Sequence, residues 1–297
     1  MWSRDTLAMI PREEDPPGSQ SGFVGQTVNM ALVLKSLYDG WNRNFHENQD
    51  LRSADYFLMN PPWFPFVLVA GYLYFVLDFG PKFMANRNPF NLKKLILVYN
   101  VVQVLINLVM FVLAFRLLVK IRASLTCQPV NYSTDPDGMM ELNLVYSYYL
   151  LKVSDLADTV FFVLRKKQSH VSFLHVYHHS GVLLGAYVYV RFVPGGHGAM
   201  LGIWNTAIHA VMYLYFALTI QWPELTRGAH WKRYITVLQM VQFGYLTVHF
   251  GVPIVLGYEC GIGKFWLWLP MIQNVFMLVL FGDFYRRTYG GTRRKVE

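Results

Sequence analysis

His175-Val176-Tyr177-His178-His179 lies near the start of an apolar stretch, residues 171–193, long enough to cross a bilayer. An ionisable side chain is costly inside hydrocarbon, and one found there is a functional-site candidate by default. The i, i+3, i+4 spacing sets the three imidazoles on adjoining positions of one helical face. The rest of the chain is of the same kind. Its 297 residues are 54% hydrophobic and 16% aromatic, and only 15% are charged. A soluble domain averages about 25% charged. Seven stretches approach or exceed the ~20 apolar residues of a membrane span. They are 63–80, 95–119, 142–164, 171–193, 198–220, 234–257 and 265–282. These predict an all-α integral membrane protein with seven transmembrane helices and little room for a soluble domain.

The organisation follows from that count. Residues 1–22 are polar and proline-rich, with no evident cleavable signal, and predict a disordered tail. Residues 23–62 predict a lumenal or interfacial segment, with Val28, Ala31, Leu32, Leu34 and Leu37 on the apolar side of its first part. Residues 63–285 form the seven-helix domain, and 286–297 a basic cytosolic tail. The net charge is +8, and 15 of the 26 basic residues fall in the loops that would be cytosolic if the N terminus were lumenal. The positive-inside rule therefore favours a lumenal N terminus and a cytosolic C terminus, although Arg116, Lys120 and Arg122 count against it. The basic loops fit two roles, simple topology or binding of an anionic soluble substrate.

Cys127 and Cys260 both fall in connections assigned to the lumenal side, where a disulfide is compatible with an oxidising compartment. Asn131-Tyr132-Ser133 is a glycosylation sequon in the same loop as Cys127. Arg294-Lys295 near the end resembles a dibasic endoplasmic-reticulum retrieval signal. A solvated charged tail reads equally well.

Polar residues interrupt four of the spans in a pattern. The third carries Lys152, Asp155, Asp158 and Thr159, and the fourth the three histidines. The fifth carries Asn205 and His209 with Tyr213 beyond, and the sixth Thr236, Gln239 and Gln242. At 1.5 Å per residue, Asp158, His178, Gln239 and Gln242 lie roughly 8–12 Å from the cytosolic ends, with His209 and Lys152 a little deeper. Lipid-facing placement would be penalised, so the pattern predicts a polar chamber open to the cytosol and closed by apolar helix toward the lumen. Helix-to-helix adhesion is the bland alternative for Gln239 and Gln242, and a packing ion pair for Lys152 with Asp155.

Two chemistries suit three such histidines. His175 and His179 at i, i+4 can share a metal, as in helical zinc sites. Membrane di-iron oxidoreductases need several such boxes, and nine histidines, four of them in loops or near span ends, are too few. Alternatively, a neutral imidazole attacks a thioester, and the acyl-imidazole formed is close in energy to a thioester. That option predicts acyl transfer between coenzyme A esters, with Lys152 and cytosolic arginines holding the anionic coenzyme.

Together these residues resemble the very-long-chain fatty-acid elongase family. Lys152-Val-Ser-Asp155-Leu-Ala-Asp158-Thr159 resembles its lysine–acid–Asp-Thr motif, with Asp155 where Glu is usual. His175-Val-Tyr-His178-His179 matches its histidine box. Asn205-Thr-Ala-Ile-His209-Ala-Val-Met212-Tyr213-Leu-Tyr215-Phe216 resembles its Asn–His–Met-Tyr motif, with Phe216 replacing a tyrosine. Thr236-Val-Leu-Gln239-Met-Val-Gln242 matches its Thr–Gln–Gln motif. The resemblance runs from about residue 58 to 289. It implies six of seven helices in an inverted barrel around a narrow acyl tunnel, in the endoplasmic reticulum membrane. It implies condensation of acyl-coenzyme A with malonyl-coenzyme A to 3-oxoacyl-coenzyme A, carbon dioxide and coenzyme A, with no cofactor and no metal. His178 matches the proposed nucleophile, with His175, His179, Asp155 and Asp158 orienting it. Asn205 and His209 are the candidates for oxyanion stabilisation. Lys152, Arg165, Lys232 and Arg287 are the candidate phosphate ligands, with Tyr213, Gln239 and Gln242 as further substrate contacts. The implied partners are the two coenzyme A esters, the bilayer, a second copy of the chain and other elongation-cycle enzymes, and no nucleic acid. A seven-span receptor or transporter and a histidine-box lipid oxidoreductase are the competing classes.

Overall fold

The computed structural model describes residues 21–42 and 49–290, without the side chains of residues 21–29, Trp41 and Ala229. The expected N-terminal tail, apart from Ser21 and Gly22, and the Arg294-Lys295 pair lie outside the described residues. Every regular element among the described residues is helical. The chain divides into two compact units, Met1–Asn48 and Gln49–Glu297.

The first unit contains α1 (Ser21–Asn42). It starts two residues inside the stretch expected to be a tail. Leu32, Leu34 and Leu37, three of the expected apolar side, are exposed.

The second unit begins earlier than expected for the helical domain, because residues 49–62 are tied into it. The Asp50 amide donates to the Arg191 carbonyl at 2.7 Å, and the buried Arg191 guanidinium donates to the Met59 carbonyl at 2.9 Å. Then come α2 (Phe64–Tyr74), a π-helical turn (Phe75–Phe79) and α3 (Gly80–Met84), which together make one apolar stretch. The long helices follow: α4 (Lys93–Lys120), α5 (Pro136–Leu164), α6 (Phe173–Phe192), α7 (Ala199–Gln221), α8 (Ala229–Leu256) and α9 (Phe265–Tyr289).

Local chemistry sets several of these ends. Asp135 caps α5 by accepting from the Gly138 amide at 2.7 Å, with Pro136 in the first turn. That amide holds the Asp135 carboxyl below its ordinary range. Ser172 caps α6 by accepting from the His175 amide. Gly257, at φ 69°, closes α8 in the left-handed region.

Among the described residues, five stretches are long and apolar enough to cross a membrane: Phe64–Met84, Lys93–Lys120, Gly196–Gln221, His230–Leu256 and Phe265–Tyr289. Helices α5 and α6, with 29 and 20 residues, hold the two most polar motifs. Helix α4 packs on α5 and α7, α5 on α6, α6 on α9, α9 on α8, and α8 on α7. Helix α2 lies against α6, and α3 against α5.

The packing inverts the pattern of a soluble protein. On α4, Asn100, Gln103 and Asn107 are at most 2% exposed, while Leu105, Val109 and Val98 are more than half exposed. Polar groups pair with one another inside, and aliphatic groups face outward, as a hydrocarbon solvent requires.

At the other end from the histidine box, a disulfide joins Cys127, ahead of α5, to Cys260, between α8 and α9. Beside it the sequence contains an irregularity that the fold repairs. Pro253, inside α8, has no N–H to give to the carbonyl of His249. His197 supplies the missing donor: its Nε2 donates to that carbonyl at 3.0 Å. His249 Nε2 donates back to the His197 carbonyl at 3.1 Å, and the two rings stack at 3.8 Å. Substituting His197→Ala should therefore lower the thermal midpoint in detergent, by an unpaired-carbonyl cost of about 1–3 kcal/mol. Adding Pro253→Ala, which restores an N–H, should recover part of the loss. Equal midpoints for wild type and His197→Ala would show that the bond contributes nothing.

Candidate functional site

Helices α5, α6 and α7 place their motifs against one another. On α5, the i, i+3 spacing brings Lys152 Nζ to Asp155 Oδ2 at 2.7 Å, with both side chains at most 3% exposed. Asp155 Oδ1 accepts from Gln103 Nε2 of α4 at 3.1 Å and lies 3.2 Å from the Tyr213 hydroxyl of α7. The same hydroxyl donates to Asp158 Oδ2 at 2.7 Å. Lys152 Nζ also sits 4.9 Å above the Tyr148 ring.

The histidine box forms a second cluster beside the first. His175 and His179 lie against each other with ring centres 4.3 Å apart and planes tilted by 44°. His175 Nε2 is 2.9 Å from the Thr159 hydroxyl of α5, which in turn meets the Tyr72 hydroxyl at 2.8 Å. His178 lies 6.5 Å from His209 and 6.5 Å from Phe243, measured between ring centres. The carboxylates expected to orient the box stand elsewhere. Asp155 and Asp158 face His209 and Tyr213 on α7, because their positions on α5 point to that neighbour, and Thr159 is the α5 residue that reaches the box.

Among the buried polar atoms without a hydrogen-bond partner in the described residues, Asn205 Oδ1 and His209 Nδ1 lie here on α7. His209 Nδ1 is 3.6 Å from Asp155 Oδ2, near enough to pair electrostatically when protonated but too far for a hydrogen bond. Among the described residues, no three His, Cys, Asp or Glu side chains gather as a metal-ion site.

A cavity of about 390 Å³ adjoins these clusters. It is lined by side chains from α4 to α9. His178, Asn205 and Gln242 border it on one side, and Glu141, Ile121 and Leu269 further along. From His178 to Tyr189, both on its wall, α6 rises roughly 16 Å. Gln239 is only half buried and meets the Met212 sulfur at 3.9 Å.

Three of the four basic candidates lie at one end of the helices: Arg165 caps α5, exposed Lys232 opens α8, and Arg287 pairs with Asp283 in the last turn of α9 at 2.8 Å, while the fourth, Lys152, is buried on Asp155. His170, in the connection before α6, senses this group. Burial, then Lys232, Lys167 and Arg165, hold its imidazole below the ordinary range.

At the sequon, Asn131 is already engaged. Its Oδ1 accepts from the Ser133 amide at 2.9 Å, an Asx turn, its Nδ2 donates to Asp135 Oδ1 at 3.4 Å, and its backbone N–H donates to Glu141 Oε2 at 3.4 Å.

A family model described as ELO, the GNS1/SUR4 family, matches residues 57–297. The chain belongs to this family. It is 37% identical over 267 residues to a very long chain fatty acid elongase of Aedes aegypti, covering 90% of this chain and 74% of the relative. It is 37% identical over 257 residues to very long chain fatty acid elongase 7 of Rattus norvegicus, covering 85% and 89%. It is 35% identical over 271 residues to very long chain fatty acid elongase 4 of Homo sapiens, covering 91% and 84%. The ELO match includes every helix that lines the cavity and leaves out α1.

Several residues of this ELO-family site are absent from the motifs. Gln103 and Asn107 on α4, and Gln273 and Asn274 on α9, contribute amides to the interior. The repeat Asn100, Gln103, Asn107 has helical spacing inside the most apolar stretch, and that signal alone could have found the first pair.

The buried ion pair has a measurable consequence. Lys152→Met leaves the Asp155 carboxylate buried without its cation, a loss of about 3 kcal/mol. The double substitution Lys152→Met with Asp155→Asn should be more stable than the single one. Thermal unfolding in detergent compares the two, and equal midpoints would show that the pair is not energetically coupled.

Proposed function

We propose that the chain is the condensing enzyme of fatty-acid elongation, joining an acyl-coenzyme A to malonyl-coenzyme A. The observation that carries this reading is His178 at the edge of a long, mainly apolar cavity, beside an unpaired amide oxygen and two further histidines. A thioester head and a hydrocarbon tail together match that arrangement. The names of the relatives support the same class of reaction.

In this reading all seven apolar stretches, α5 and α6 included, cross the endoplasmic reticulum membrane, with the N terminus lumenal and the C terminus cytosolic. Helices α4 to α9 form the barrel, and the cycle of neighbours that starts and ends at α4 supports it. The acyl tail lies in the cavity. The lone pair of His178 attacks the thioester carbon, and coenzyme A leaves as thiolate and takes up a proton. Malonyl-coenzyme A then loses carbon dioxide, and the electron pair of the broken bond becomes an enolate. The enolate carbon attacks the acyl-imidazolium, forming the new carbon–carbon bond and releasing neutral His178. Asn205, through its amide N–H groups, and His209 stabilise the oxyanions that form. Thr159 holds His175, and the ring of His175 supports His179. No metal takes part in these steps.

Incubating purified protein with a saturated long-chain acyl-coenzyme A should give an acyl adduct on His178 by peptide mass spectrometry. Adding malonyl-coenzyme A should discharge it with appearance of 3-oxoacyl product. His178→Ala should abolish both. Full activity in His178→Ala would remove His178 from the nucleophile role.

In this reading Arg165, Lys232 and Arg287 meet the coenzyme A phosphates, and His170 reports on Lys232 and Arg165. Protonation of His170 is opposed by those positive charges, so an anion that neutralises them must move its titration upward. Saturating adenosine 3′,5′-bisphosphate should raise the His170 midpoint followed by NMR of labelled histidine. An unmoved midpoint would place the phosphates elsewhere.

A further inference from the structure

Gln103 lies in the middle of α4, outside all four motifs and 2% exposed. A buried carboxamide in a lipid-spanning helix is expensive unless it has a task. Its orientation is set by its neighbours. The Tyr99 hydroxyl donates to the Ser154 carbonyl at 3.2 Å, and the Ser154 hydroxyl to the Leu151 carbonyl at 2.7 Å. Both hydroxyl oxygens are therefore left as acceptors for Gln103 Nε2, at 2.9 and 3.0 Å. On the other side, Asn107 Nδ2 donates to the Gln103 backbone carbonyl at 2.8 Å and to Gln103 Oε1 at 3.3 Å. The nitrogen of the amide, not its oxygen, must then face Asp155.

The charge arithmetic at Asp155 makes that contact matter. Oδ2 is occupied by Lys152 and faced by His209 Nδ1. Oδ1 has two candidate donors, Gln103 and Tyr213. Tyr213 has one hydroxyl proton, and Asp158 Oδ2, at 2.7 Å against 3.2 Å, is the nearer acceptor. Gln103 Nε2 has two protons for three acceptors, and the carboxylate, being charged, is the strongest of them and takes one, so Gln103 is the donor on which Oδ1 depends. We propose that Gln103 is a positioning residue: it fixes the Asp155 carboxylate, which holds the Lys152 ammonium and stands 3.6 Å from His209 Nδ1, for the condensation. This rests on the condensation reading above.

The test exchanges one methylene between the partners. Gln103→Asn withdraws the amide by one carbon, and Asp155→Glu extends the carboxylate by one. Each single variant should lower kcat about ten-fold with KM for acyl-coenzyme A changed less than about two-fold. The double variant should regain activity above both singles, a coupling that simple packing of Gln103 does not produce. Gln103→Leu should resemble Gln103→Asn. The exchanged pair keeps the total size and polarity of the site, so it remains informative if the leucine variant fails to fold, and monodispersity in detergent checks each protein. Wild-type kcat in Gln103→Asn, or a double variant no better than the weaker single, overturns the inference while leaving the condensation reading intact. A folded wild-type protein that forms no 3-oxoacyl product overturns the condensation reading, and the inference falls with it.

Discussion

The buried pair of Lys152 and Asp155 constrains the rest of the interior. At most 3% of either side chain meets the surroundings. Two charges removed from water are tolerated only where their remaining donors and acceptors are satisfied. Satisfying Asp155 requires the amide of Gln103 from α4 and brings the hydroxyl of Tyr213 from α7 close. Those needs hold α4, α5 and α7 together at one level. The Tyr213 hydroxyl extends the same network to Asp158. The pair is thus less a source of stability than a condition that the neighbouring helices must meet.

That condition gives the interior two regions with different solvation. Around His178 the walls carry Asn205 and Gln242. Further along they are largely aliphatic and aromatic. A ligand with a polar reacting head and a long apolar tail matches both regions at once, and one without a tail leaves the apolar region unfilled. The unpaired Asn205 oxygen and His209 nitrogen lie on the polar side, where unused hydrogen-bonding capacity is costly unless a ligand takes it up.

How much of this was legible depended on distance along the chain. The histidine box, the Lys152 stripe and the Asn205–His209 pair each have helical spacing within a few residues, so sequence alone grouped them. The helix ends came out within two residues for α4, α6 and α7, where breaks in the apolar runs coincide with caps such as Ser172, whereas α5 starts six residues before the expected span, at the Asp135 cap, and α9 ends seven residues after it, because polar first and last turns extend a helix beyond its apolar run. What pairs with what was less legible. Asp158 was expected to orient the histidines, and only the mutual rotation of α5 and α7 gives it to Tyr213 instead. Gln103 and Asn107 were hidden because two amides barely lower the hydropathy of so apolar a helix. The partnership of His197 with His249 joins residues 52 apart, and its reason, a carbonyl stripped of its donor by Pro253, exists only once α8 is built.

The two ends of the helices are built by different means, which bears on where a substrate can enter. At the end holding Glu141, the walls are fixed by strong local constraints. Glu141 Oε1 accepts from the Gly196 amide at 2.7 Å, and a Cβ at Gly195, with φ at 107°, would come within 2.2 Å of the Glu141 side chain. The Cys127–Cys260 bond fastens the adjoining connections. Opening that end means breaking a covalent link or unpairing buried groups. At the other end, exposed Lys232 and Arg287 are long, solvated side chains whose rearrangement disturbs no buried contact. Under the proposed condensation reading, a charged coenzyme is therefore admitted most cheaply at the basic end, with its acyl tail threaded past His178 toward Glu141. In that proposed pose the thioester would reach His178 only after the tail is seated, so the geometry that suits a long apolar chain would also deliver the carbon that the proposal has His178 attack.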